Sequence, residues 1–164
     1  MPRLAVTAEH DHLPLDIYPP PPGGRHWART LQPVYVTTNG TLYMLQARFA
    51  YDGSSIPPVA WWTLATPLEW PWCYMGAVHD GMYAGALRRV GATLYHPPVW
   101  FPPLVAHCVF YELGRACGVS PGKAGRAFLG VTLWGLVRGH RTSYVSREHF
   151  LDTCPHGEIF EGTP

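Results

Sequence analysis

The residues best suited to chemistry in this sequence are a histidine and an aspartate that stand side by side, His79 and Asp80, with Tyr83 soon after them. An imidazole can act as a base or bind a metal ion, and a neighbouring carboxylate can orient it or share the metal. Helical spacing would put His79 and Tyr83 on one face, with Asp80 about 100° further around the axis. Alternatively, these residues form a buried polar cluster that fixes the packing, because buried polar side chains are normally hydrogen-bonded.

A second histidine and an upstream aspartate are further candidates for the same site. His107 precedes Tyr111 by four residues, so two antiparallel helices could bring His107 beside the His79–Asp80 pair. Asp52 lies in a predicted loop after a strand, where functional groups are common. The candidate metal site therefore comprises His79, Asp80, His107 and Asp52, and the candidate catalytic pair is His79 with Asp80. The structural alternative is that Asp52-Gly53 only makes a turn and that His107 is a satisfied core residue.

The composition argues against partners that are recognised through charge. Of 164 residues, 14% are charged and 47% are hydrophobic, and the formal net charge is +1. We therefore expect neither nucleic acid nor an anionic membrane as a partner, and the longest apolar stretch, residues 127 to 137, is too short to span a bilayer. The four cysteines lack metal-finger spacing, which predicts free thiols. The N-terminal residues do not resemble a secretory signal, which predicts synthesis in the cytoplasm.

The elements that must position the candidate residues begin with an extended segment. The run YPPPPGG at residues 18 to 24 cannot join a helix or a central strand and favours extended backbone. We therefore predict an extended proline-rich arm over residues 1–32. A β-hairpin should follow, with strands at about residues 33 to 38 and 41 to 51, because Asn39-Gly40 is a preferred pair for a two-residue turn.

Three helices are predicted after the hairpin. The first covers about residues 73 to 88, and its glycines indicate close approach of a neighbouring backbone. The second begins at Pro102 or Pro103 and stops before Gly118, and the third begins at Ser120-Pro121 and ends near residue 139. The predicted fold is thus α+β, with one globular domain over residues 33–140 and a mostly irregular tail over residues 141–164.

The order of these motifs resembles the small phage and prophage proteins of the domain of unknown function 1353 family. The resemblance rests on YDGSSIP at residues 51 to 57, WW at 61 to 62, GAVHDGMY at 76 to 83, and AH at 106 to 107 leading to GV at 118 to 119. It covers about residues 33 to 140. Tyr51 and Gly76 replace a threonine and an alanine of the pattern. His107 stands where the family usually has aspartate, which changes the charge and geometry of any shared metal site. The resemblance implies phage origin and a common scaffold, without a settled activity.

The helix motif is also similar to the His-Asp-x-x-Tyr motif of secreted phospholipases A2, in which the histidine is the base and the aspartate binds calcium. The cysteines that bracket that motif and the glycine-rich calcium loop have no counterpart in this sequence. The similarity is therefore confined to one helical segment.

Two classes of function follow from these observations. The first is a virion-associated structural or accessory component that is made in the host cytoplasm and needs no cofactor. It would bind other phage structural proteins or copies of itself through its arm and its aromatic surface. The second is a small hydrolase, lipase-like or metal-assisted, that uses the His79–Asp80 pair, with a divalent metal ion as its potential cofactor, and that could also be carried in the virion. We favour the first class because the chain has 7 Trp and 9 Tyr, residues that suit interfaces.

Overall fold

The computed structural model describes residues 4–18, 27–51, 68–91, 99 and 101–137. Within these residues the chain forms seven β-strands and three α-helices. The strands are β1 (Val6–Ala8), β2 (Leu15–Tyr18), β3 (Trp27–Thr30), β4 (Val34–Thr38), β5 (Thr41–Leu45), β6 (Ala50–Tyr51) and β7 (Arg88–Arg89), and the helices are α1 (Trp72–Tyr83), α2 (Pro103–Ala116) and α3 (Pro121–Val137). The predicted α+β fold, with an antiparallel hairpin followed by three helices, is confirmed.

The predicted hairpin consists of β4 and β5, in which Thr38 pairs with Thr41 across the turn. Asn39 has a φ of 49° and Gly40 a φ of 74°, so both turn residues adopt the left-handed conformation that the preferred two-residue hairpin turn requires. β1 and β7 extend this sheet on its two sides, which gives the strand order β1-β4-β5-β7.

The chain changes sheets within the second predicted strand. β5 ends at Leu45, and Arg48 takes a left-handed φ of 67°. The Arg48 N–H donates to the Thr30 carbonyl at 2.7 Å, and the Phe49 N–H donates to Thr30 Oγ1 at 3.1 Å. These bonds place the chain beside β3. The next strand, β6, pairs with β3 and completes a second antiparallel sheet with the order β2-β3-β6. The single strand predicted over residues 41 to 51 is therefore two strands in two sheets.

Three strands come from the N-terminal part of the chain, where the extended arm was predicted. β1 pairs with β4, whereas β2 pairs with β3, and β3 with β6. The alternating residues Leu4, just before β1, and Val6 and Ala8 within it pack against the core, a period of two that is typical of a half-buried strand. The consecutive prolines at residues 19 to 22 lie outside the described residues.

Helix α1 lies at the centre of the molecule. All twelve of its residues are buried, which is typical of a helix that is covered on every side. It contacts β4, β6 and α2, and the hydroxyl of Tyr74 donates a hydrogen bond to the Tyr35 carbonyl of β4. A side chain on α1 is therefore held from several directions at once.

The glycines of the first predicted helix have two different roles. A Cβ on Gly81 would lie 2.9 Å from a methyl carbon of Leu45 and 2.9 Å from one of Leu87. The predicted close approach thus occurs at Gly81, although the neighbours are side chains and not backbone. Gly85 has a φ of 63° and follows the last turn as a helix terminator, so α1 ends at Tyr83 and does not continue to residue 88.

Helices α2 and α3 form an antiparallel pair. The bounds of α2 and the start of α3 agree with the predicted ones to within one residue, and Gly118, with a φ of 83°, lies in the connection. The predicted end of α3, near residue 139, lies outside the described residues. Small residues of α3, Ala124 and Ala127, are buried in its contact with the rest of the core, together with Val131. Among the helices in the described residues, none has the length and apolar character needed to cross a membrane.

Candidate functional site

The His79–Asp80 pair is buried and hydrogen-bonded. His79 Nδ1 lies 3.0 Å from Asp80 Oδ1, and each residue exposes 3% of its surface. When Asp80 is ionised its carboxylate can only accept, and the proton of this bond then belongs to Nδ1. In a neutral imidazole the lone pair then lies on Nε2, so Asp80 fixes both the tautomer and the orientation of His79.

The second predicted histidine lies beside the first and links three helices. His107 on α2 exposes 1% of its surface. Its Nε2 lies 2.6 Å from the Tyr83 hydroxyl on α1, and its Nδ1 lies 3.2 Å from the Thr132 hydroxyl on α3. Both ring nitrogens of His107 are therefore engaged by hydroxyl groups.

Ring contacts join the two histidines into one unit. The His79 and His107 rings stack with centroids 5.4 Å apart and an interplanar angle of 18°. The Tyr83 ring lies 4.8 Å from the His79 ring, and Phe110 of α2 meets His79 edge-on at 5.5 Å. We call the five residues Asp80, His79, Tyr83, His107 and Thr132 the histidine cluster. The predicted approach of the two helices has thus placed all three helical candidates together.

The electrostatic surroundings keep the phenols near the cluster neutral. Burial raises the pKa of Tyr83 to about 12, and the Asp80 charge adds to the rise. Burial also raises the pKa of Tyr51, the last residue of β6, with further contributions from Cys73 and Asp80. The Tyr51 hydroxyl is buried and makes no hydrogen bond within the described residues. At neutral pH the Tyr83 phenol keeps its proton and can donate it to His107.

The predicted metal site is only partly within the described residues. His79, Asp80 and His107 lie in one cluster, whereas Asp52 lies outside the part of the chain that the structure describes. Within that part, no three histidine, cysteine, aspartate or glutamate side chains are arranged to hold a metal ion. His107 would have to give up a hydroxyl partner to become a ligand. A divalent metal at this site remains a prediction.

Thr132 is the cluster residue that the sequence analysis did not identify. It lies in the apolar stretch of residues 127 to 137, and only its position as a lone hydroxyl in that stretch could have drawn attention to it. Whether such a hydroxyl faces a buried histidine depends on how α3 packs on α2. A single threonine in the sequence does not indicate that packing.

The second candidate site is a row of exposed leucine side chains on α3. Leu129, Leu133 and Leu136 expose 56%, 60% and 59% of their surface, respectively, and their spacing of four and three residues puts them on one side of the helix. We call these three residues the leucine face. Because α3 also buries Ala127 and Val131, it is apolar on two sides, which is unusual for a helix at the surface of a monomer.

No protein-family model matches this chain, and neither does any curated protein or any solved structure. The resemblance to the domain of unknown function 1353 family therefore remains a prediction from the quoted motifs.

Proposed function

We propose that this chain is a virion-associated structural or accessory protein of a phage and that it assembles through the leucine face of α3. The observation that carries the proposal is the leucine face itself, because clustered exposed apolar side chains mark sites of protein interaction. The phage context rests on the resemblance of residues 33 to 140 described above. Other phage structural proteins and further copies of this chain are the partners that the proposal includes.

In this proposal the histidine cluster has a structural role. It ties α3 to α2 and α1 through the His107 bonds to Thr132 and Tyr83. Thr132 directly precedes Leu133, so the bond that anchors Thr132 inward also fixes the direction in which Leu133 points. A buried, hydrogen-bonded polar network holds one packing arrangement in preference to others, and a rigid interaction surface loses less entropy on binding.

The proposal is tested by placing a charge on the leucine face and asking whether the protein still enters particles. Leu129→Asp should reduce the amount of this protein in purified particles, because a carboxylate at an apolar interface must be desolvated. Ile17→Asp is the matched control, because Ile17 on β2 is also 56% exposed. Equal incorporation of wild type and both variants would contradict the proposal.

A second function, a small hydrolase, is favoured by one specific observation. Asp80 holds the His79 ring by the 3.0 Å bond to Nδ1, an arrangement that prepares Nε2 to act as a general base. The test uses p-nitrophenyl esters and phosphodiesters with wild type, Asp80→Asn and Tyr111→Phe. Hydrolysis that is lost with Asp80→Asn and kept with Tyr111→Phe, both folded, would establish the enzyme. Equal rates in all three would exclude the pair as the source of activity.

A further inference from the structure

We propose that protonation of His10 releases residues 4–13, which we call the N-terminal segment, from β4, so that pH controls the attachment of this segment. Such a switch goes beyond the proposed function, because it requires neither a virion nor the leucine face. It follows from the hydrogen bond that His10 makes, from the rings and charges around the imidazole, and from the position of β1 at the edge of its sheet.

His10 is attached to β4 by a hydrogen bond that only the neutral imidazole can make. The Tyr35 N–H donates to His10 Nε2 at 2.9 Å, so Nε2 must carry a lone pair and the proton of the neutral ring lies on Nδ1. A protonated imidazole has an N–H at both positions and accepts no hydrogen bond. Protonation of His10 therefore replaces the bond by two N–H groups that face each other.

Aromatic rings from β4 and α1 pack on the same imidazole. Tyr35 stacks on His10 with ring centroids 6.0 Å apart, and Tyr74 meets it edge-on at 5.3 Å. The Tyr74 hydroxyl also accepts from the Glu9 N–H at 3.2 Å and donates to the Tyr35 carbonyl. Burial raises the pKa of Tyr74, so this phenol keeps its proton. His10 is then the group in this site that titrates near neutral pH.

The surroundings favour the neutral form of His10. Burial lowers the pKa of its imidazole, and the His12 charge acts in the same direction. The charges of Glu9 and Asp11 act against this change without reversing it. A docked His10 therefore resists protonation more than a released one does.

The charges that act on His10 come from the N-terminal segment itself. β4 has no acidic or basic residue. Helix α1 carries the hydrogen-bonded pair of His79 and Asp80, and α2, which contacts β1, carries three titratable side chains with neighbours of their own. These are His107, bonded to Tyr83 and Thr132, Arg115, bonded to the Val119 carbonyl, and Glu112, whose charge acts on Cys108.

The N-terminal segment lies where local opening is easiest. β1 has three residues and stands at the edge of the order β1-β4-β5-β7. Besides the ladder to β4, Ala5 and Asn39 exchange two hydrogen bonds, and the Thr37 hydroxyl donates to the Glu9 carboxylate at 2.7 Å. Terminal segments with few contacts open at a lower free energy than the core. Loss of the His10 bond can thus shift a local equilibrium while the helices stay folded.

The lowered pKa sets the direction of the effect. In the released segment the imidazole returns to its usual pKa of 6.5, so the released state binds more protons than the docked state. Attachment is therefore at full strength above about pH 7 and weakens as the pH falls below that value. At about pH 5 the released imidazole is protonated about thirty times as often as it is neutral, which limits the increase in opening to about thirtyfold.

Hydrogen exchange of the full chain, followed by mass spectrometry at about pH 7.5 and about pH 5, measures this opening. After correction for the intrinsic pH dependence of exchange, the opening of residues 4–13 should rise at least about threefold on acidification. The amides that join β4 to β5 do not depend on β1 and should keep their protection. Unchanged opening of residues 4–13, or the same rise in both segments, would overturn the proposal.

Two matched glutamine variants identify the titrating group. His10→Gln offers an amide oxygen to the Tyr35 N–H but does not titrate, so the rise in opening should disappear. His12→Gln removes an exposed imidazole that bonds the exposed Asp11, and the rise should persist. A rise that persists in His10→Gln, or one that disappears in His12→Gln, would show that His10 is not the sensor.

An NMR titration of the wild-type imidazoles tests the same point without any substitution, and it decides the matter even where His10→Gln fails to fold. The ring nitrogen shifts of neutral His10 should place its proton on Nδ1, and the pKa of His10 should lie below 6.5. A neutral ring with its proton on Nε2, or a pKa of His10 that is not lowered, would overturn the proposal.

Discussion

Removal of the Tyr83 hydroxyl is the sharpest test of the histidine cluster. Tyr83→Phe keeps the ring that packs on His79 at 4.8 Å and deletes the oxygen that lies 2.6 Å from His107 Nε2. The deletion leaves a buried ring nitrogen without its partner. Such a loss costs about 1 to 3 kcal/mol of the free energy of unfolding. In a chain of this size each kcal/mol lowers the melting temperature by about 2 to 4 °C.

The matched control for this substitution is Tyr111→Phe. The Tyr111 ring packs on Phe128 with centroids 6.2 Å apart, and the described residues include no hydrogen-bond partner for its hydroxyl. We expect this control to change the free energy of unfolding by less than about 0.5 kcal/mol. Thermal and urea unfolding, followed by circular dichroism, give both values. Equal losses for the two substitutions would refute the assignment of a stabilising bond to Tyr83.

A double-mutant cycle tests whether the cluster acts as a unit. Thr132→Val removes the hydroxyl that lies 3.2 Å from His107 Nδ1 and preserves the shape of the side chain. Because both hydroxyls bond the same imidazole, the tautomer that serves one of them also sets the role of the other. We expect a coupling free energy of about 0.5 to 3 kcal/mol between Tyr83→Phe and Thr132→Val. Strict additivity would mean that the two bonds are independent.

Two further predictions concern packing and pH. Gly81→Ala should lower the free energy of unfolding, because its Cβ would lie 2.9 Å from methyl carbons of Leu45 and Leu87, and the overpacking cost of about 1 to 3 kcal/mol exceeds the helix-propensity gain of about 0.5 to 1 kcal/mol. At Gly125, apart from the adjacent residues and the backbone of its own helix, the described residues place no atom within 4 Å of an added Cβ, so Gly125→Ala should raise the free energy of unfolding by about 0.5 to 1 kcal/mol through helix propensity. Urea unfolding of the two variants measures both changes in the free energy of unfolding, and equal changes would contradict the packing argument. Burial raises the pKa of Cys73 from 9.0 to about 11 and that of Tyr83 from 10.0 to about 12, so the unfolded chain releases these protons first. This contribution to stability is fully present below about pH 9 and is lost as the pH rises through about 11 to 12. The measurement is the urea concentration at the midpoint of unfolding. The same midpoint at about pH 8 and about pH 10.5 would contradict this prediction.

Local sequence chemistry predicted the helices and the hairpin. Pro103 and Pro121 each stand at the first position of a helix, and Asn39-Gly40 forms the turn between β4 and β5. Each of these features depends on the conformational preference of one or two residues, and it acts within a few positions along the chain. The position of His79 and Tyr83 on one helical face follows from the helical repeat in the same way. Such features can be read from a sequence without knowledge of the tertiary fold.

The tertiary structure decided which distant segments meet. The pairing of β1 with β4 and the passage of the chain into a second sheet at Arg48 depend on contacts between residues far apart in sequence. The bond between His107 and Thr132 and the outward direction of Leu133 depend on how α3 is rotated against α2. That rotation is fixed by the combined packing of many side chains. A helical repeat that is apolar on two sides does not indicate which side will be buried.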